Sequence, residues 1–109
     1  MKLNVEAQQG KVVAKIGGSM DTVSAPKFQE ELETWIAKGD RAFVVDVSEL
    51  EYITSAGLRS ILAIAKKIKA DQGTISFCGL DGMVKEVFEM SFFTQMFPIH
   101  TSLDEALGS

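Results

Sequence analysis

Cysteine is nearly absent from the 109 residues: Cys78 stands alone, which excludes an internal disulfide, a CxxC redox pair and a cysteine-built zinc site. Histidine is as scarce. His100 is the single example, flanked by Ile99 and Thr101 near the end of the chain, and no Ser-His-Asp or Cys-His set assembles around it. A surface or capping role suits it better than catalysis, so the chain is not expected to be an enzyme. No apolar run approaches the roughly 18 residues that a membrane span requires, and Met1-Lys2-Leu3-Asn4-Val5-Glu6 lacks the apolar core of a signal peptide. These absences make the cytoplasm the expected location. Cys78, in the apolar run Ile75-Ser76-Phe77-Cys78, then reads as a buried structural thiol in a reducing compartment.

Positive charge is also in short supply. Eleven Lys and Arg face fifteen Asp and Glu, a net charge of −4, which works against gripping the nucleic-acid backbone or an anionic membrane surface. The glycines form no phosphate cradle: Gly17-Gly18, Gly79 and Gly82 match neither GxGxxG nor a P-loop. Asp46, Glu49 and Glu51 could suggest a carboxylate pair or a metal site, but Glu49 and Glu51 flank Leu50 and face solvent on this reading. No metal and no cofactor are expected.

What is present is ordinary globular composition, 46% hydrophobic and 24% charged, in a length suited to one domain spanning residues 1–109. Leu3 to Ala7 and Lys11 to Ile16 form strand-like runs around Gln8-Gln9-Gly10, a hairpin with glycine in its turn. Gly17-Gly18-Ser19 breaks that pattern. A helix begins near Ser24, with Pro26 in its opening turn and Phe28, Leu32, Trp35 and Ile36 on one stripe, and closes at Lys38-Gly39. Ala42 to Val47 is nearly all apolar, as in a central strand buried on both faces. A second helix runs from about Ser55 to Ala70 with Leu58, Ile61, Leu62, Ala65 and Ile68 inward. Thr74 to Cys78 is a strand, and a third helix follows from a cap at Asp81 to Met90. Met96 to Ile99 is expected as a short final strand. Ser102 to Leu107 is expected as a last helical turn with capping-box spacing between Ser102 and Glu105. The order β-β-α-β-α-β-α-β-α, with about four helices, implies an α/β fold whose sheet is mixed and mostly parallel.

In such folds the loops after the strands carry function, which directs attention to Ser48 to Ser55. Here a buried strand gives way to a helix that opens on Thr54 or Ser55 and continues at once with Ala56 and Gly57. Small residues in a first turn leave backbone N–H groups open to another molecule. A hydroxyl stands at the edge of that platform. Read without further knowledge, Thr54 or Ser55 is equally well a plain helix cap.

The run Asp46-Val47-Ser48-Glu49-Leu50-Glu51-Tyr52-Ile53-Thr54-Ser55-Ala56-Gly57-Leu58 resembles the signature of the STAS domain and, within it, the anti-sigma factor antagonists. Gly17-Gly18-Ser19-Met20-Asp21 ahead of Ala25-Pro26 is similar to the family's Gly-x-x-Asp segment. Phe97-Pro98-Ile99 followed by Ser102 to Leu107 resembles its ending. The resemblance implies partner switching. An unmodified antagonist binds an anti-sigma factor, often itself a serine kinase, and so releases a sigma factor. Phosphorylation of the serine at the helix start ends the complex, and a phosphatase, of the PP2C type, resets it. By position that serine is Ser55, and Met20, Asp21, Thr54, Ala56, Gly57 and Arg59 would lie at or near the binding face. Many members carry aspartate before the phosphorylated serine; this chain has Thr54, a second hydroxyl that could itself accept phosphate. A different member of the same family, an accessory subunit of a lipid-transport ABC system, would bind its ATPase through the same helix start without phosphorylation.

A phosphate on Ser55 adds roughly −1.5 to −2 charges and sits favourably at a helix N-terminus, by about 0.3–1 kcal/mol where exposed. Arg59, four residues on, could pair with it or could simply be solvated. The expectation is an intact fold and a lost partner. Met20, in a loop, is expected to be an exposed apolar contact, whereas Phe92, Phe93, Met96 and Phe97 are expected in the core. A monomer is expected, with no extra apolar face to pair.

Overall fold

The computed structural model describes residues 1–108. Strand β1 (Lys2–Gln8) turns through Gln9 and Gly10 into β2 (Lys11–Met20). Both turn residues have positive φ, 52° and 79°, the handedness that matches a two-residue hairpin to the twist of its strands. Helix α1 (Ala25–Ala37), strand β3 (Ala42–Ile53), helix α2 (Ser55–Ala70) and strand β4 (Thr74–Cys78) follow. The chain then forms α3 (Gly82–Met90), a short α4 (Phe93–Met96), strand β5 (Ile99–His100) and α5 (Leu103–Leu107).

The strands lie in the order β1-β2-β3-β4-β5, with β3 central. The β1–β2 pair is antiparallel and the other three are parallel, so the sheet is mixed and mostly parallel, as the element order implies. Because each strand is laid beside the previous one, the crossover helices fall on one face. Val12, Ala14, Ile16, Phe43, Val45, Ile75 and Phe77 point into that face and meet Phe28, Leu32, Ile61, Ile64, Val84 and Phe88. The other face is covered by α5 alone: Ala106 and Leu107 pack on Val13, Val44 and Cys78. Lys67 and Glu33 pair across α2 and α1 at the surface.

Two expectations about strand length need correction. Gly17-Gly18-Ser19 does not end β2, which continues to Met20, and β3 does not stop at Val47 but runs to Ile53. The cause is mutual: the two strands keep pairing, through register shifts at Lys15/Gly17 and Gly18/Ser19, until Met20 lies beside Ile53. The segment Ser48 to Ile53 is therefore strand rather than loop, with Leu50 and Ile53 buried and Glu49 and Glu51 exposed.

The expected strand from Met96 to Ile99 is also corrected, since Phe93–Met96 is helical and β5 begins at Ile99. Aromatic packing explains the change. Phe93 and Phe97, four apart, turn to the same side and join Phe88 and Phe77 in a chain of tilted and edge-on contacts with centroids 5.3–5.5 Å apart. Such pairs add about 0.5–1.5 kcal/mol each beyond the area they bury. Phe92, left-handed at φ 63°, is turned outward and, with Met96, is exposed rather than in the core.

The capping box at α5 is half formed. The Glu105 N–H donates to the Ser102 hydroxyl, but the Glu105 carboxylate accepts from the Thr101 N–H and hydroxyl instead of closing on Ser102. These bonds, with His100, hold the Glu105 carboxyl below the usual range. His100 is partly covered, with Nδ1 3.3 Å from Glu105 in the first turn of α5, which fits the capping role rather than a free surface one.

Candidate functional site: the start of helix α2

Helix α2 begins where β3 ends, and its first residues are tied to the end of β2. The Thr54 N–H donates to the Met20 carbonyl at 3.0 Å. Thr54 is the N-cap: extended at φ −96° and ψ 173°, it accepts from the Gly57 N–H at 3.3 Å. Its hydroxyl also donates to the Met20 carbonyl at 3.4 Å. The hydroxyl of Thr54 is thus occupied in both directions.

Gly57 is buried within the same frame. A Cβ there would stand 2.7 Å from Ile53 Cγ1 and 2.9 Å from the Met20 carbonyl oxygen. The smallness of Gly57 serves a close approach, as expected, but by the chain's own backbone rather than by a partner. Met20 needs a plainer correction. It is the last residue of β2, not a loop residue, and its side chain is fully buried; what it brings to the site is its carbonyl.

Ser55, by contrast, is exposed, and its hydroxyl has no hydrogen-bond partner among the described residues. As the first residue of α2 it projects outside the Met20–Thr54–Gly57 frame. The Gly57 N–H is capped and the Leu58 N–H donates to the Thr54 carbonyl, leaving the Ser55 and Ala56 N–H groups as the open donors of the first turn. Arg59 is exposed one turn further along, with no carboxylate paired to it among the described residues. Together with Thr22, Pro26, Gln29, Ala56 and Ala63 it lines a shallow groove of about 350 Å³ between α1 and α2. Beneath that groove the buried Ser60 hydroxyl donates to the Ala25 carbonyl, which fixes the two helices' approach.

Asp21 begins the turn from β2 to α1. Its Oδ1 accepts from the Val23 and Ser24 N–H groups, at 3.0 Å each, and from the Ser24 hydroxyl at 3.1 Å. The Ser24 bonds, followed by the Val23 N–H, hold its carboxyl below the ordinary value. Ser24 precedes α1 as its spacing suggests, but its hydroxyl is turned back to Asp21 and Ser19 and caps nothing in its own helix. Asp21 therefore shapes the loop from within, and only part of it faces outward.

Asp46, which opened the signature run, is buried and accepts from the Ser48 N–H at 3.0 Å. It also lies beside Cys78 in the sheet. Burial first, and the Asp46 charge second, push the Cys78 thiol up to about 12, as befits an inert buried cysteine. Among the described residues no cluster of three or more His, Cys, Asp or Glu could hold a metal ion, and no helix is long and apolar enough to cross a membrane.

These features define a class: a small α/β domain that offers, at the carboxyl end of a central strand, a rigid helix start with a free hydroxyl. The STAS domain model matches residues 2–106. The chain belongs to that family. It is 38% identical, over its whole length and 94% of the relative's, to BtrV of Bordetella bronchiseptica, described as a candidate anti-sigma factor antagonist. An anti-sigma factor antagonist from Mycobacterium paratuberculosis superposes with a TM-score of 0.88 at 25% identity, covering 98% of this chain and 91% of that one. The Bacillus cell fate determinant SpoIIAA, in its phosphorylated form, shares the fold, with a TM-score of 0.79 at 17% identity and coverage of 98% and 97%.

Proposed function

We propose that this chain is an anti-sigma factor antagonist that acts by partner switching, with Ser55 as the switch. The carrying observation is the division of labour between two adjacent hydroxyls. Thr54 is consumed by Gly57 and Met20, while Ser55 is exposed and unbonded. A kinase can reach the second without dismantling the helix start, and that favours Ser55 over Thr54 as the phosphate acceptor. The unphosphorylated face then binds an anti-sigma factor, itself a serine kinase, and a PP2C-type phosphatase restores the serine. Similarity to BtrV over the full chain supports the same reading; the transporter-accessory reading draws no support from these relatives.

The energetics suit a surface switch. Phosphate at Ser55 meets the open N–H groups of Ser55 and Ala56 and the Arg59 guanidinium, so the folded chain tolerates it. At an interface the same charge is desolvated, and a loss of about 2.7–4.1 kcal/mol corresponds to 100- to 1,000-fold weaker binding. The test is intact-mass and peptide mass spectrometry on protein from its native cells, beside a Ser55→Ala variant, followed by binding to purified anti-sigma kinase. One phosphate on Ser55, absent from the variant, with binding confined to the unphosphorylated form, is the expected result. Binding that is indifferent to phosphate sinks the switch.

A further inference from the structure

Exposed large apolar side chains are not scattered evenly over the molecule. Val23 is 80% exposed and Tyr52 47%, and Met83 is at the margin of exposure. All three lie at the carboxyl end of the parallel strands: Val23 just beyond β2, Tyr52 next to the last residue of β3, and Met83 at the start of α3 beyond β4. Ser55 is at that end too. Met90, Phe92 and Met96 are also exposed, but α3 carries the chain back along the sheet, so they occupy the opposite end.

Val23 and Tyr52 are held close to Ser55 by the frame already described. Tyr52 pairs with Ser19 and Ile53 with Met20, whose carbonyl receives the Thr54 N–H. Tyr52 is three residues from Ser55, and Thr22, next to Val23, shares a groove wall with Ala56 and Arg59. The exposure of Val23 is built in, because Asp21 takes its N–H and both polar groups of Ser24, fixing the turn that displays it. An isopropyl group and a phenol ring presented on fixed backbone cost little ordering entropy on binding.

The charge around them is uneven: Arg59 stands on the Thr22 side, and carboxylates are in excess on the Glu51 side. Glu51 precedes Tyr52 and is exposed, and the lining of a groove of about 850 Å³ beside it includes Met1, Lys2, Glu49, Glu51, Asp81 and Met83, three carboxylates against one lysine. An apolar centre with a net acidic edge on one side is complementary to an apolar surface that carries lysine or arginine opposite that edge.

We propose that Val23 and Tyr52 are the apolar anchors of the partner-binding face, and that the anti-sigma factor meets them with an apolar patch rimmed by basic side chains. This rests on the function proposed above and adds to it a separation of tasks. Val23 and Tyr52 supply affinity in both phosphorylation states, the Glu49–Glu51–Asp81 edge sets charge preference and association rate, and Ser55 supplies only the veto. The occupant is the anti-sigma factor because the patch is continuous with Ser55, whereas the Met90–Phe92–Met96 patch lies beyond the far end of α3 and serves as the internal control.

The experiment is titration calorimetry of the full chain against purified anti-sigma kinase, using wild type, Val23→Ser, Tyr52→Ser, Glu51→Lys and Phe92→Ser. Every substituted side chain is exposed, so folding is expected to be preserved, and circular dichroism melts check this. Val23→Ser and Tyr52→Ser should each weaken binding about tenfold or more, as truncation of a central anchor does. Glu51→Lys should weaken binding and flatten the salt dependence of the affinity, and Phe92→Ser should change nothing. If wild type binds while the Val23 and Tyr52 variants bind equally well, the anchors are refuted and the switch stands. If Phe92→Ser is the damaging variant, the face has been misplaced. If the anti-sigma kinase does not bind wild type at all, the functional reading itself fails, and the anchors with it.

Discussion

The carbonyl oxygen of Met20 lies 2.9 Å from the point where a side chain on Gly57 would begin. No ordinary Cβ contact is that short, so the first turn of α2 can dock against the end of β2 only because position 57 has none. Met20 and Thr54 complete the junction through the bond between the carbonyl and the Thr54 N–H.

Gly57→Ala should therefore destabilise the protein. Alanine would gain roughly 1 kcal/mol of helix propensity, but overpacking against Ile53 and the Met20 backbone costs about 1–3 kcal/mol. A net loss of about 1 kcal/mol is expected, measured as a lower urea midpoint with an unchanged slope. Weakened partner binding should accompany it, because the loop carrying Asp21 and Val23 would be displaced.

Thr54→Ala removes the hydroxyl that accepts from the Gly57 N–H and donates to the Met20 carbonyl. The expected cost is about 1 kcal/mol, in the usual range for an N-cap threonine, read from urea unfolding. Phosphate incorporation at Ser55 should persist in this variant. Its disappearance, with Ser55 intact, would move the modified hydroxyl to Thr54.

Asp21 gives the site an acid limit. Its carboxyl is held below the usual carboxylate value by the Ser24 and Val23 groups, so the stabilisation is present in full above the unfolded carboxylate pKa of about 3.9. It is lost as pH falls further, through the lower folded value. Amide exchange at Val23 and Ser24, followed by NMR, should accelerate only below about pH 4. Asp21→Asn keeps an acceptor oxygen and should abolish that dependence while leaving the turn in place.

Cys78, buried and with its thiol pushed up to about 12, should resist thiol reagents in the native protein at pH 8. The same cysteine should react at once after denaturation. Native-state labelling would show that the sheet face beneath α5 opens far more readily than its packing implies.

The elements that the sequence announces most clearly are those with internal signals. Helix α2 opens at Ser55 and closes before Gly73, and β4 occupies Thr74–Cys78, as the apolar period and the glycine dictate. What the local pattern misses is set by neighbours. Ser48 and Glu49 interrupt the apolar run of β3, yet the strand continues because β2 is there to pair with. The same pairing buries Met20, which looks loop-borne beside two glycines. Phe92 and Phe93 are indistinguishable by composition, and only the left-handed turn at Phe92 sends one out and the other into the aromatic cluster. At the candidate site, the two adjacent hydroxyls are legible from the motif, but which of them is left free is not: that depends on where the Met20 carbonyl points.

The independence of Ser55 from its own scaffold has a consequence for time. No hydrogen bond of the helix start passes through its hydroxyl, so a group attached there is an addition to a finished surface and its removal leaves nothing to rebuild. On the function proposed above, a switch of this construction has no mechanical memory: each cycle would begin from the same scaffold, at a pace set by the enzymes that write and erase the mark.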